Sequence, residues 1–508
     1  MSYPETQPDP PLGKIDHVEE KNGYILDATQ VDSAEGLKTS RDGHNILIPQ
    51  PSEDPNDPLN WSQTKKHVML MVISATAFLP DYGAATGAVT LIPQAKEWNM
   101  NPDTINHATV GNVFMVGAGG VIVVALAAYF GRLPVFFWFT LFAFVTAAWC
   151  AGATSFESFM AARILNGFIS TVAQGGGLML IEDMFFFHEH ARKINIWSAF
   201  ITVSPYMGPL IAAFIITKLN WTWPFWIFTI ETGLCLIGII LFLDETYYDR
   251  RIPLDKQPAR RSKVLRLIGV EQFRSRHLRN SFWQAMIRPA KAIVKPTVFI
   301  SCAYFLFTFA WTVGINTTLS IIIAPLYDFG PKQIGFLQFA PVTAAILGEV
   351  IGHYLHDALA TLYMRRHHGR LDPEARLLAC YVATPFMLSG LVLIGFAMQH
   401  TYHYMLIALG WGLYVFGTMI VSVALNAYNL DSYPEASGEV AAWVNFSRTT
   451  GGFIVGFFQV RWVTAMGPQR MFGVQAGVTA GVLPLVIGLS LWGKRVREWS
   501  GGLSFKTV

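Results

Sequence analysis

Stretches of about twenty apolar residues, separated by short polar breaks, follow one another along most of the chain from residue 67 onward. A helix rises about 1.5 Å per residue and the hydrocarbon core of a bilayer is about 30 Å thick, so each stretch is long enough to cross a membrane. The pattern predicts twelve spans, at 67–92, 106–129, 133–153, 158–182, 194–217, 223–243, 296–322, 333–357, 376–398, 403–427, 438–462 and 472–493. A polar segment at 244–295 separates the first six from the last six. The expectation is an all-α integral membrane protein with twelve transmembrane helices in two six-helix, pseudo-symmetric bundles, 66–243 and 296–493, around a midplane cavity.

The segments outside the spans have their own character. Residues 1–65 are polar and rich in Pro and Asp, with no short basic region leading into an apolar one, and are predicted to be a disordered cytoplasmic tail and not a cleaved signal. Residues 494–508 form a short cytoplasmic tail. Within the linker, "RRSKVLRLIGVEQF" places Val264, Leu265, Leu267 and Ile268 as an amphipathic helix at the membrane surface. A weak internal echo links the two halves, since basic loops follow span 2 ("YFGRLPV") and span 8 ("YLHDALATLYMRRHHGRLDPEARL").

Composition and charge fix class and orientation. Among 508 residues, 52% are hydrophobic and 14% charged, more apolar side chain than a water-soluble core hides. Lys and Arg concentrate on one side. Lys65, Lys66, Arg132, Arg192, Lys193, thirteen in the linker between 247 and 295, Arg365, Arg366, Arg370, Arg376 and four after residue 493 stand against only Lys96, Lys218, Lys332, Arg461 and Arg470 on the other side. Basic residues stay cytoplasmic, so both termini are expected inside. Cys150, Cys235, Cys302 and Cys380 fall within or at the edges of spans without CxxC spacing, and read as small apolar residues. The chain carries no Walker loop, HExxH or GxSxG, and its His residues lack metal spacing, so neither enzyme chemistry nor a metal or other cofactor is expected. The basic linker is read as meeting anionic lipid, not nucleic acid.

Five motifs, in order, resemble the major facilitator superfamily and, within it, the fungal twelve-span drug:proton antiporters; the similarity runs over roughly residues 52–495. "DPNDPLNW" (54–61) looks like the motif that precedes span 1 in those fungal proteins. "YFGRLPV" (129–135) matches the second half of the loop motif between spans 2 and 3, and "ARILNGF" (162–168) the span 4 motif with its buried Arg. "SPYMGPLIAA" (204–213) is similar to the span 5 antiporter motif, and "DETYYDR" (244–250) to the acidic ending of span 6. The departures are specific. Aligned on Gly131, the loop has Ala128 where the family has an Asp, Val124 in place of a Gly and Leu133 in place of a basic residue. In span 5, Pro205, Gly208 and Pro209 are present, but Ser204, Ala212 and Ala213 replace glycines.

Intramembrane polar residues are the candidates for chemistry, because an ionisable group in hydrocarbon is costly unless it is paired or wet. Asp81 lies near the midplane, and Arg163, whose counterpart is held to assist proton coupling in the family, is its expected partner. Glu231 in span 6 joins them as a proton-coupling or substrate candidate. Glu349, His353 and Asp357, spaced i, i+4 and i+8, share one face of span 8, and His353 suits proton handling. Arg448 in span 11 is read either as functional or as a structural partner for an acid across the bundle. With Ala128 in place of the latch acid, the cytoplasmic gate is expected to rest on Gly131, Arg132, Glu182 and Asp183, with Asp357 alongside, and Arg132 to Glu182 or Asp183 is the first candidate pair. Trp311, Asn316, Gln338, Trp411, Tyr414, Asn426, Trp443 and Asn445 are cavity candidates.

The implied activity is proton-coupled alternating access by a monomer in the plasma membrane, with a fungal metabolite, toxin or drug-like amphiphile as exported cargo. The alternatives are a proton-driven importer of organic cations such as polyamines, for which Asp81, Glu231 and Glu349 would form an anionic site, and a transporter-like nutrient receptor.

Overall fold

The computed structural model describes residues 38, 47–250, 252–278, 281–366 and 372–503, without the side chains of Phe187, His188 and Ala191. Most of the expected disordered tail, the loop at 367–371 and residues 504–508 lie outside the described residues.

Twelve long helices carry the fold: α1 (Gln63–Glu97), α2 (Pro102–Phe130), α3 (Arg132–Gly152), α4 (Phe156–Met184), α5 (Phe187–Ile215) and α6 (Trp223–Phe242), then α7 (Pro296–Tyr327), α8 (Pro331–Arg366), α9 (Leu378–Gln399), α10 (Tyr404–Ser432), α11 (Ser437–Met466) and α12 (Pro468–Ser500). Several helices overrun the predicted spans by one or two turns because the pattern marks the apolar stretch and the polar caps extend it, while α3 and α6 match theirs. Asn101 accepts from the Asp103 N–H at 2.9 Å with Pro102 in the first turn of α2, and Pro296, Pro331 and Pro468 open three further helices. Gly131 separates α2 from α3 at φ 97°, a backbone conformation that a side chain disfavours.

Eleven of the twelve are long and apolar enough to cross a membrane. The exception, α11, is 30 residues long but carries Glu439, Asn445, Arg448 and Gln459. It packs along α2 and α7, so these polar groups face protein. In the first half α1 packs on α5; in the second α9 packs on α10 and α7 on α11.

Two expectations are corrected at the basic end of the bundle, hereafter the linker end. Residues 52–61 are not disordered: they dock on the segment after α6. Asp57 is fully buried and takes both nitrogens of Arg250 at 3.1 and 2.9 Å, while the Tyr248 hydroxyl donates to Asp54 at 3.1 Å. Burial pushes the Asp57 carboxyl up, but the hydrogen bonds and charge of Arg250, with the Ser52 and Leu59 N–H groups, outweigh it and hold the carboxyl below its ordinary value. Lys66 then donates to the Leu59 carbonyl at 2.9 Å, tying the strap to α1. The linker is not one helix at 260–273 either. Gly269, at φ 98°, breaks it into Lys263–Ile268 and Val270–Arg274. The longer amphipathic helix is Phe282–Ile293, which has a capping box at Ser281 and Gln284 and buries Ala285, Pro289 and Ala292 against α2 and α11.

Candidate functional site

Asp81, in the middle of α1, is 5% exposed and pairs with Arg448 of α11, whose Nη2 donates to its Oδ2 at 2.7 Å. Gln174 of α4 donates to the same oxygen at 3.0 Å and to the Ala77 carbonyl at 3.1 Å. Asn445 completes the set by accepting from Arg448 Nη2 at 2.7 Å and Nε at 3.1 Å. The pair therefore joins the first half of the molecule to the second. Charges out of water cost several kcal/mol each, and only close geometry with further hydrogen bonds repays that; both conditions are met here.

This corrects the expected pairing with Arg163. Arg163 is fully buried, but it lies toward the far end of α4 and spends its Nη1 and Nη2 on the Gly83 and Ala84 carbonyls, each at 2.7 Å, beneath the rings of Phe159 and Phe225. It braces the turn of α1 after Asp81 without touching the carboxylate. The signal for the true partner was Arg448, an Arg well inside the most polar span.

Two cavities adjoin the pair, and Phe309 and Arg448 line both. The inner one, toward the linker end, is walled by Leu178, Trp197, Phe305, Met419 and Leu430, with Asn426 and Asn445 as amides. The outer one is the smaller and is bounded by Asp81, Pro205, Tyr206, Thr312 and Asn316. Beyond it the halves meet: Ser320 donates to the Ala88 carbonyl at 2.7 Å, and Arg461 lies 3.5 Å from Asp103.

The α5 motif shapes this region. A Cβ on Gly208 would fall 2.4 Å from the Tyr82 carbonyl, so glycine permits the α1–α5 approach. Pro209 has no N–H to offer the Pro205 carbonyl one turn back. Asn316 of α7 supplies the missing donor at 2.8 Å, from the opposite half.

At the linker end, Arg132 Nε meets Asp183 at 3.1 Å, and the Thr246 hydroxyl donates to the same carboxylate at 2.8 Å. Glu182 turns the other way and accepts from Ser437 of α11 at 2.7 Å. Sequence reasoning missed Glu245, immediately after α6. Its carboxylate accepts from the Arg132 N–H at 3.0 Å, the Leu133 N–H at 3.4 Å and Gln272 at 2.8 Å. A carboxylate at a helix N-terminus satisfies orphan N–H groups and complements the dipole. The turn that lacks an acid at Ala128 thus receives one from elsewhere in the chain.

The remaining candidates scatter. Glu231 faces Tyr82 between α6 and α1, and neither it nor Glu349 lines either cavity. His353 and Asp357 are exposed, 3.6 Å apart, with Asn195 of α5 at 3.4 Å from the imidazole. Of the eight cavity candidates, Asn316, Asn426 and Asn445 line the two cavities; Trp311, Gln338, Trp411, Tyr414 and Trp443 do not. Trp411 is core, the Tyr414 hydroxyl donates to the Thr308 carbonyl, and Trp443 donates to Pro289 at 2.7 Å, anchoring the linker helix. Aromatic content alone did not separate cavity from core. No group of His, Cys, Asp and Glu able to hold a metal occurs among the described residues.

Known proteins share both sequence and fold. A family profile described as the Major Facilitator Superfamily matches residues 71–456. MFS-type transporter hepF of Aspergillus oryzae is 25% identical, covering 89% of this chain and 94% of its own, and efflux pump radE of Floropilus chiversii is 22% identical, covering 89% and 85%. The solved proton:xylose symporter XylE superposes with a TM-score of 0.56 at 12% identity, over 86% of this chain and 97% of its own. At that identity it speaks to fold alone.

Proposed function

The chain belongs to the Major Facilitator Superfamily of membrane transporters, and from that premise we propose that it exports an amphiphilic small molecule, of the secondary-metabolite or drug-like class, in exchange for protons across the plasma membrane. The observation that carries the coupling is the Asp81–Arg448 ion pair, a buried contact between the halves that lies between two cavities. Alternating access requires the halves to move relative to one another around a central site. A proton on Asp81 removes the charge that holds Arg448, so protonation and the inter-half link are one event.

Efflux as the direction rests on relatives that include a named efflux pump, and on the intact Gly208–Pro209 element. The apolar wall of the inner cavity suits an amphiphile drawn from the cytoplasmic side. The importer reading calls for an anionic cluster, whereas Glu231 and Glu349 stand apart from Asp81 and Asp81 is already neutralised. The test is export of a neutral, hydroxyl-bearing amphiphile such as labelled hydrocortisone from loaded proteoliposomes under an imposed pH gradient. Wild type should respond to the gradient and Asp81→Asn should lose that response; an Asp81→Asn protein with wild-type gradient dependence would refute the coupling.

A further inference from the structure

Three buried polar atoms that nothing answers line the outer cavity, Thr312 Oγ1 among them. Tyr206 is fully buried and its hydroxyl has no hydrogen-bond partner; Asn316 is 5% exposed, and with its Nδ2 spent on Pro205, its Oδ1 has none. Both line the same space beside Asp81 and Arg448. The rest of the wall includes Ala84, Ala85, Val113, Phe309 and Val313, which cannot hydrogen bond through their side chains. An unanswered buried donor or acceptor costs about 1–3 kcal/mol, so such groups persist where something else visits them.

The chemistry of the visitor follows from what is free. Asp81 and Arg448 satisfy each other's charge, which leaves no net charge for an ionic ligand. Asn316 Oδ1 can only accept, while the Tyr206 hydroxyl can donate or accept. A group that gives one hydrogen and takes another fits both. The inner cavity, adjoining at Phe309 and Arg448, is apolar on its Leu178, Trp197, Phe305 and Met419 side.

We infer that the outer cavity is the polar end of the cargo site, and that it takes a neutral hydroxyl or amide N–H group whose apolar body lies in the inner cavity. This rests on the reading of the two cavities as the cargo path. It sets a specificity: a neutral alcohol or amide over the hydrocarbon of the same shape, and over cations and anions. Asn316 is then a specificity residue and at the same time the donor to the Pro205 carbonyl, so cargo bound there touches the group that joins α7 to α5.

Binding to the purified full-length protein in detergent tests the inference, read by energy transfer from protein tryptophans to a matched pair, pyrenebutanol and butylpyrene. Wild type should hold the alcohol about tenfold more tightly, the discrimination one good hydrogen bond supplies. Tyr206→Phe, which keeps the ring and its packing, should bring that ratio close to one with butylpyrene affinity unchanged, and Asn316→Leu should lower the ratio as well. A wild-type ratio near one, no binding of the alcohol, or an undiminished ratio in both variants would overturn the inference. The assay uses no gradient and no flux, so it stands or falls apart from proton coupling: gradient-independent transport with an intact alcohol preference would sink the antiport reading and leave the subsite.

Discussion

The two charged networks of this molecule differ in what they connect. At the linker end, Asp57 with Arg250, Arg132 with Asp183, Asp244 with Lys65 and Arg266, and Glu245 over the first turn of α3 all lie within the first half and its attached linker. In the membrane, Asp81 and Arg448 pair across the halves. The first set lets six helices, the strap and linker residues 244–275 move as one body, while the second has to open if that body moves against the other half. A carboxylate that only braces one half can stay charged throughout; under the proposed coupling, the one that bridges the halves is where a proton changes the geometry.

Breaking each network should separate these roles. Arg448→Gln carries the largest expected effect, because it strands a buried carboxylate. Removing one partner of such a pair costs about 3–5 kcal/mol. Thermal unfolding should show that loss, and the double variant Asp81→Asn with Arg448→Gln should recover much of it. Additive losses in the double variant would mean that the two residues are not coupled. Asp57→Ala should cost less, about 1–3 kcal/mol as Arg250 loses its partner, and should expose residues 52–61 to protease with the α1–α11 link intact. The pH dependence has a definite sign. The Asp57 carboxyl is held below its ordinary value, so the docked strap gains stability above that ordinary value and loses it as pH falls through the depressed one. Protease sensitivity of the strap should rise on acidification in wild type and be pH-insensitive in Asp57→Ala.

The fold was legible because the bilayer imposes a length rule. Any run of about twenty apolar residues has few other uses, and even polar α11 coincides with a predicted span, 438–462. The docked strap was harder to read: "DPNDPLNW" has the polarity of a disordered tail, and its partners Arg250 and Tyr248 lie nearly two hundred residues away. Asp81 could be found because a lone intramembrane acid is conspicuous. Its partner was misassigned because depth along a helix was estimated without rotation about it: Arg163 faces the α1 backbone, whereas Arg448 reaches the carboxylate from the other half. Gly208 and Pro209 were visible as a motif, but the carbonyl that Pro209 frees, and the amide of Asn316 that answers it, required two helices from different halves to be placed side by side. Trp311, Trp411 and Tyr414 show the converse, since nothing in one sequence distinguishes an aromatic that faces a cavity from one that fills a core.

The proton on Asp81 is proposed to govern the contact between the halves. This can be tested without knowing the cargo, by the distance between spin labels at the exposed positions Arg192 and Glu435, on opposite halves at the linker end. Acidification should shift the distance distribution of the wild-type protein. Asp81→Asn should already give the acid-state distribution at neutral pH and respond no further; an Asp81→Asn protein that keeps the wild-type response to pH would contradict the account.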